Sequence, residues 1–103
     1  MTPDDRHIVV ADNPGEGRYE LYVDGRLVGL ATYVLSGQTM TIPHSEVQPS
    51  FEGQGLGARL ARFALDDARE RGLRVVPRCP FIAAYVKRHP EYADLIAGQR
   101  RRS

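Results

Sequence analysis

The side chains of this 103-residue chain that could bind or react gather in two places. The first is Glu52-Gly53-Gln54-Gly55-Leu56-Gly57, followed at once by Ala58-Arg59-Leu60-Ala61-Arg62. Glycines at alternate positions let the backbone turn tightly and leave its N–H groups uncovered. A helix opening directly after them adds the positive end of its dipole, so the stretch reads as an anion site, with phosphate as its commonest guest. The second place combines His44 and Glu46 with Cys79. His44 and Glu46 lie two residues apart and so on one face of a regular strand. A carboxylate at a strand end can serve as a general base, directly or through water, and a neutral histidine can orient it. The same two residues also fit a solvated strand-end charge and a hydrogen-bonded structural histidine. Cys79 follows Arg78, a cationic neighbour that favours thiolate. Three readings of it stand side by side: nucleophile, acid/base or cleft-lining group, and inert buried thiol.

The spacing of the glycines narrows the phosphate ligand. A Walker A loop needs Lys and Ser/Thr after its last glycine, where this chain has Ala58-Arg59, so a nucleoside triphosphate is excluded. A dinucleotide fingerprint is loosely matched with Ala58 in the last position. About twenty residues on, where an acid should meet the ribose, the chain reads Val75-Val76-Pro77-Arg78.

The elements that must hold these groups change character halfway. Ile8–Ala11 is a short apolar run closed by the turn cluster Asp12-Asn13-Pro14-Gly15. Arg18–Val23 is a strand rich in aromatic and β-branched residues, followed by Asp24-Gly25, the dipeptide of a type I′ hairpin. Leu27–Leu35 and Thr39–Val47 are two further strands joined at Ser36-Gly37, and Pro43 implies an edge or a bulge within the last. After the glycines, Leu56, Leu60, Phe63, Ala64 and Ala68 fall on one face of a helix that stops at Gly72, with Arg62/Asp66 and Asp67/Arg71 at i,i+4. Leu73–Pro77 is a short strand, Phe81–Arg88 a second helix broken at His89-Pro90, and Glu91–Ala97 a last helical turn ended by Gly98. The order β-β-β-β-α-β-α defines an α+β fold. An antiparallel meander leads into α-β-α, and a right-handed crossover sets the last strand parallel to the fourth.

Length and composition set the frame: one domain over residues 1–103, with loose termini at 1–6 and 98–103. Hydrophobic residues at 42% and charged residues at 26% are ordinary for a folded chain. A formal net charge of +1 supplies no field for nucleic acid, and Arg100-Arg101-Arg102 reads as a frayed basic end rather than a nucleic-acid patch. No apolar run is long enough for a membrane span and no signal-peptide layout is present, so the expected location is cytoplasmic. The single cysteine excludes an internal disulfide and a multi-cysteine zinc site, and no metal is expected.

His44-Ser45-Glu46-Val47, the glycine loop, Ala64–Arg69, Val75–Phe81 and Ala83–Tyr92 together resemble the GNAT superfamily of N-acetyltransferases, and specifically its minimal branch of roughly a hundred residues. The resemblance covers residues 18–97; Cys79-Pro80-Phe81 and His89-Pro90-Glu91-Tyr92 are its most specific segments. It implies a core without the early helices and late strands that shape acceptor pockets in larger members. It also implies acetyl-CoA as co-substrate and direct transfer of acetyl to an amine, either a small molecule or a protein lysine or N-terminus, by a monomer or weak homodimer. The superfamily pattern Gln/Arg-x-x-Gly-x-Gly/Ala is met except at its first position, which is Glu52 here.

The resemblance places the coenzyme against Val47, against Gly53, Gln54, Gly55, Leu56, Gly57, Ala58 and Arg59, and against Cys79, Phe81, Tyr85 and Arg88. Arg59, Arg62, Lys87 and Arg88 are candidates for its phosphates. Tyr85 matches the position where the superfamily often sets a proton donor for the leaving thiolate; half-buried packing on the sheet is its other reading. Glu46, His44, Cys79 and Tyr85 are thus the candidate catalytic groups. The alternative to an enzyme is a CoA-binding module with little or no turnover, which Glu52 and the missing acceptor elements favour.

Overall fold

The computed structural model describes residues 6–97. Five strands form one sheet in sequence order: β1 Ile8–Asn13, β2 Arg18–Val23, β3 Arg26–Ser36, β4 Thr39–Val47 and β5 Arg74–Pro77. The first four pair antiparallel, and β5 joins β4 in parallel through the crossover helix α1, Leu56–Glu70. A 3₁₀ turn at Pro49–Phe51 leads into the glycine loop, α2 spans Pro80–Arg88, and a second 3₁₀ segment spans Pro90–Leu95. The predicted order and the parallel last pair are therefore present. No helix among the described residues is long and apolar enough to cross a membrane.

Local chemistry explains the boundaries. Asp24 and Gly25 both have positive φ (52° and 79°), as a type I′ turn requires. β1 runs two residues past the predicted apolar run, because Asp12 accepts the Tyr33 hydroxyl at 2.6 Å and Asn13 pairs with Arg18. α2 begins one residue earlier than its hydrophobic pattern, with Pro80 in the first turn, where a missing N–H costs nothing. Arg6, expected to be loose, instead donates to Gln54 Oε1 at 2.5 Å. The remaining expectations for the termini, including Gly98 and the arginine tail, lie outside the described residues.

α1 and α2 contact each other and pack on one face of the sheet. Tyr19, Leu21, Val28, Met40, Ile42 and Val75 from the strands are fully buried against Leu56, Leu60, Leu65 and Ile82 from the helices. Ala61, Ala64 and Ala68 bring α1 close to the strands. Phe63, expected in that core, sits at its rim, 36% exposed and edge-on to Tyr19 at 5.8 Å. Polar pins fix the C-terminal part of α1. Asp67 accepts the Tyr19 hydroxyl at 2.7 Å and Arg71 at 3.0 Å. The expected Arg62/Asp66 pair is absent because Asp66 takes the Tyr92 hydroxyl at 2.6 Å instead. The opposite, helix-free face carries one buried carboxylate, Glu20, held by the Tyr22 hydroxyl, Arg18 Nε and Asn13 Nδ2 at 2.7, 2.7 and 3.1 Å.

Candidate functional site

The site arises where β4 and β5 part. Their ladder runs from Thr39↔Arg74 to Ile42↔Pro77 and stops. The N–H groups of Arg78 and Cys79 both turn onto the Ile42 carbonyl, at 3.1 and 3.0 Å. Pro43 follows with no N–H to offer a partner, and the β3–β4 register shifts beside it, between Thr32 and Val34. Of the edge or bulge expected at Pro43, the bulge is present, and it frees one side of β4 beyond residue 42. Gln48 N–H donates to the Val28 carbonyl at 2.8 Å. By the alternation of an antiparallel ladder, His44 and Glu46 also bond toward β3, while the main-chain groups of Ser45 and Val47 face the gap.

That gap is a cleft of about 480 Å³. One wall is Ser45, Glu46 and Val47, the floor is Phe51 to Gly53 and Gly55 to Ala58 with Leu60, and the far wall is Phe81, Ile82 and Arg88 of α2. Gly53 and Gly55 have φ near +79° and +78°, and a Cβ on either would meet nothing, so their glycine character serves the backbone path. The helix itself starts at Leu56, which corrects the expectation that it begins after the last glycine: Gly57 lies inside the first turn with ordinary helical φ. Its Cα is approached instead by the Phe81 ring, whose tip would lie 3.0 Å from an added Cβ. Phe81 and Arg88 stand seven residues apart on α2 and share the face that lines the cleft.

Other predicted residues lie off the cleft surface. Gln54 turns its side chain to Arg6 and to the Ser50 carbonyl. Arg59 lines a separate shallow groove with Val10, Arg62, Phe63 and Asp66. Tyr85 is not on the cleft wall: at 5% exposure its ring stacks on His89, with centroids 3.9 Å apart, and lies 6.1 Å from Tyr92. It occupies the inward face of α2 with Ile82 and Val86, and burial pushes its hydroxyl above the usual tyrosine range. The packing reading of Tyr85 is the one that matches this position.

Two pairs of reactive groups each put one member on the cleft wall, Glu46 and Ser45, while the predicted residues His44 and Cys79 lie behind them, off the cleft surface. His44 Nε2 lies 3.0 Å from Glu46 Oε1, on the helix-free face of β4. The carboxylate can only accept, so this nitrogen carries the proton. Both side chains are open to solvent, at 58% and 60%. On the helical face, Ser45 Oγ lies 2.9 Å from the sulfur of Cys79, which is 4% exposed. Burial pushes the Cys79 thiol up, but the Ser45 hydroxyl and the N–H groups of Ile82, Phe81 and Ser45 outweigh it and hold the thiol below the ordinary cysteine value. The Ser45 hydroxyl, followed by the N–H groups at the start of α2, supplies the stabilisation that the sequence assigns to Arg78. Ser45 was missed by the sequence reading, although strand alternation opposite His44 and Glu46 could have found it. Phe51, Leu60 and Ile82 carry no chemical signal and are visible only in three dimensions.

An antiparallel meander, a glycine loop opening a helix and a last strand parallel to the fourth are the arrangement that the resemblance to the GNAT superfamily implies. The family described as GCN5-related N-acetyl-transferase matches residues 18–95, and the chain belongs to that family. Protein NATD1 of Xenopus tropicalis is 37% identical over 65 residues, covering 63% of this chain and 59% of that protein. The chain therefore spans about three fifths of that relative's length. The solution structure of a GCN5-like protein from Staphylococcus aureus superposes with a TM-score of 0.68 at 21% identity, covering 89% of this chain and 90% of that one. Aminoglycoside N-acetyltransferase AAC(6')-Iy, solved in complex with CoA, covers 100% of this chain and 96% of its own, with a TM-score of 0.58 at 15% identity. Both likenesses are of fold.

Proposed function

We infer that the chain is an acetyl-CoA-dependent N-acetyltransferase that passes acetyl directly to an amine. The observation that carries this reading is the continuous cleft from the glycine loop to Ser45 and Glu46, with Cys79 behind Ser45 and His44 beside Glu46. The cleft fits CoA in three respects. Uncovered N–H groups at the start of α1, together with Arg88, suit a diphosphate. The main-chain groups of Val47, which face the gap, suit an amide of an extended arm. The apolar floor and Phe81 suit its aliphatic part.

Bound acetyl-CoA supplies the activated thioester. Glu46, oriented by His44, takes the proton that the amine must lose before its nitrogen can bond to the acetyl carbon. The amine reaches Glu46 across the open face of the sheet, which suits an exposed lysine or N-terminus as well as a small molecule. As the carbon–sulfur bond breaks, the Ser45–Cys79 pair stands on the opposite side of β4 and can return a proton to the departing sulfur. No acyl-Cys79 step is invoked. A lone thiol suits a reducing compartment, in keeping with a cytoplasmic location.

Incubation with acetyl-CoA and a panel of amines, followed by release of free CoA thiol, tests the reading. Turnover should fall about a hundredfold or more in Glu46→Gln and persist in Cys79→Ala. The second reading, a CoA-binding module, is favoured by Glu52, a carboxylate lining the cleft beside the loop. Tight CoA binding with no turnover of any amine would establish that reading and overturn the first.

A further inference from the structure

Glu20 is buried on the face of the sheet that no helix covers, and it takes no part in the chemistry above. Register fixes what surrounds it. Glu20 stands opposite Leu30 on β3, and Leu30 stands opposite Glu46 on β4. Two residues along, Arg18 stands opposite Thr32, and Thr32 opposite His44. Side chains alternate along each strand, so all six share the helix-free face. In both outer strands of this trio the basic residue reaches along its own strand to the carboxylate. Arg18 Nε donates to Glu20 at 2.7 Å, and His44 Nε2 to Glu46 at 3.0 Å. Two such pairs therefore flank a floor of Leu30 and Thr32, both half-buried. They lie two strand spacings apart, about 9–10 Å.

The two pairs leave opposite charges open. On β4 the carboxylate is the accessible member, with Glu46 60% exposed. On β2 the Glu20 carboxylate is enclosed by the Tyr22 hydroxyl, Arg18 Nε and Asn13 Nδ2, and the guanidinium is the accessible member, 28% exposed. Neither Nη of Arg18 has a hydrogen-bond partner among the described residues. A guanidinium is a planar fork, so anchoring its Nε on Glu20 leaves the Nη edge aimed and ready for a second carboxylate. Glu16, the other carboxylate that acts on Arg18, is exposed and makes no hydrogen bond to it.

We propose that Arg18 determines acceptor specificity and that the acceptor is zwitterionic, with its amine at Glu46, its carboxylate on the Nη edge of Arg18 and an apolar chain across Leu30. The assignment depends on the acetyl-transfer reading above and narrows its acceptor. A lysine-length chain bridges such a gap, whereas a plain primary amine fills only one end of it. The same chemistry is met in a free amino acid whose amine lies far from its carboxylate, and in a protein lysine with an acidic residue close by.

Release of CoA thiol from acetyl-CoA is followed with 6-aminohexanoate and with 6-aminohexanamide, which differ only in the charge of the far end. Wild type should prefer the carboxylate about fivefold in kcat/KM, mainly through KM, the scale of a partly exposed ion pair. Arg18→Gln should bring the two acceptors to the same value, and Arg18→Lys should keep part of the preference. Arg18→Gln also takes a donor from the buried Glu20, so Thr32→Glu serves as the second variant. It leaves the Arg18–Glu20 pair in place, sets a negative charge in the floor, and should likewise erase the preference. A capped peptide with glutamate two residues from its lysine, set against its glutamine counterpart, separates the two sources. A preference there marks a protein acceptor, and a preference confined to 6-aminohexanoate marks a free amino acid. Equal kcat/KM within both pairs for wild type, or a preference that survives Arg18→Gln, would overturn the proposal. No turnover of any amine would overturn the acetyl-transfer reading itself, and the proposal with it.

Discussion

Replacing Gly29 by alanine tests whether the position of β4, and with it the cleft, is fixed by close main-chain packing. Gly29 stands on β3 opposite Val47. An added Cβ would lie 3.0 Å from the Glu46 carbonyl oxygen, 3.1 Å from Leu21 Cδ2 and 3.3 Å from Val47 Cγ2. Leu21 is fully buried, and the carbonyl belongs to the strand itself, so relief requires β4 to shift. Overpacking of this kind costs about 1–3 kcal/mol. Loss of glycine freedom in the unfolded chain returns about 0.4–1 kcal/mol. The net is about 0.5–2 kcal/mol of destabilisation, with about 4–8 °C of melting temperature per kcal/mol at this size. Urea unfolding should show a lower midpoint at unchanged slope, and CoA affinity should fall severalfold as Glu46 and Val47 move. Gly25→Ala is the control: its Cβ meets nothing, but its φ of +79° disfavours alanine. It should lower stability and leave CoA affinity alone. Gly29→Ala as stable as wild type, with undiminished affinity, would refute the reasoning.

Ser45→Ala removes a donor to the Cys79 sulfur at 2.9 Å. Hydrogen bonds to charged groups are worth about 1.5–3 kcal/mol, so the thiolate fraction at a pH below its titration should fall about tenfold or more. The pH profile of labelling by a small alkylating reagent checks this, and an unmoved profile would assign the whole effect to the N–H groups of α2. Asp67→Ala strands the fully buried Tyr19 hydroxyl with only Met40 Sδ at 3.8 Å. It should cost about 1–3 kcal/mol in denaturant unfolding, with Asp67→Asn costing less; a loss under about 0.5 kcal/mol would dismiss the pin. The Tyr22 hydroxyl and Arg18, with Asn13, hold the Glu20 carboxyl below the usual range against the effect of its burial. Its contribution to stability is therefore complete above the unfolded carboxylate value of about 4.3 and is lost as pH falls through the lower folded value. Stability against pH in Glu20→Gln should accordingly be flatter than wild type on the acid side of that value, and an identical acid limb would contradict the assignment.

The periodic elements were legible because local chemistry and fold agree in them. Asp24-Gly25 forms the predicted turn, and Pro43 marks the predicted bulge. The glycine turn was legible too, since Gly53 and Gly55 have the positive φ that only glycine adopts readily. Gly57 was misassigned to the loop because a glycine required by a neighbouring ring looks identical, in sequence, to one required by a turn. Tyr85 has two readings in the sequence, proton donor by its superfamily position and half-buried packing, and only the helical period shared with Ile82 and Val86 favours the second. Ser45 escaped notice because its importance comes from Cys79, 34 residues away. Asp66 shows the same limit on a smaller scale. Its i,i+4 neighbour Arg62 was the visible partner, and the Tyr92 hydroxyl 26 residues away took its place.

The two N–H groups that converge on the Ile42 carbonyl have an evolutionary consequence. The cleft is a length of sheet that is prevented from forming. If Pro43 were a residue with an N–H and the register were even, β5 could continue along β4, adding ladder hydrogen bonds worth about 0.5–1.5 kcal/mol each and sealing the opening. Selection for stability alone would favour that closed sheet, as it commonly does where activity depends on a destabilised feature. A library of residue-43 and bulge variants ranked by thermal resistance should therefore enrich proteins that fold better and no longer bind CoA.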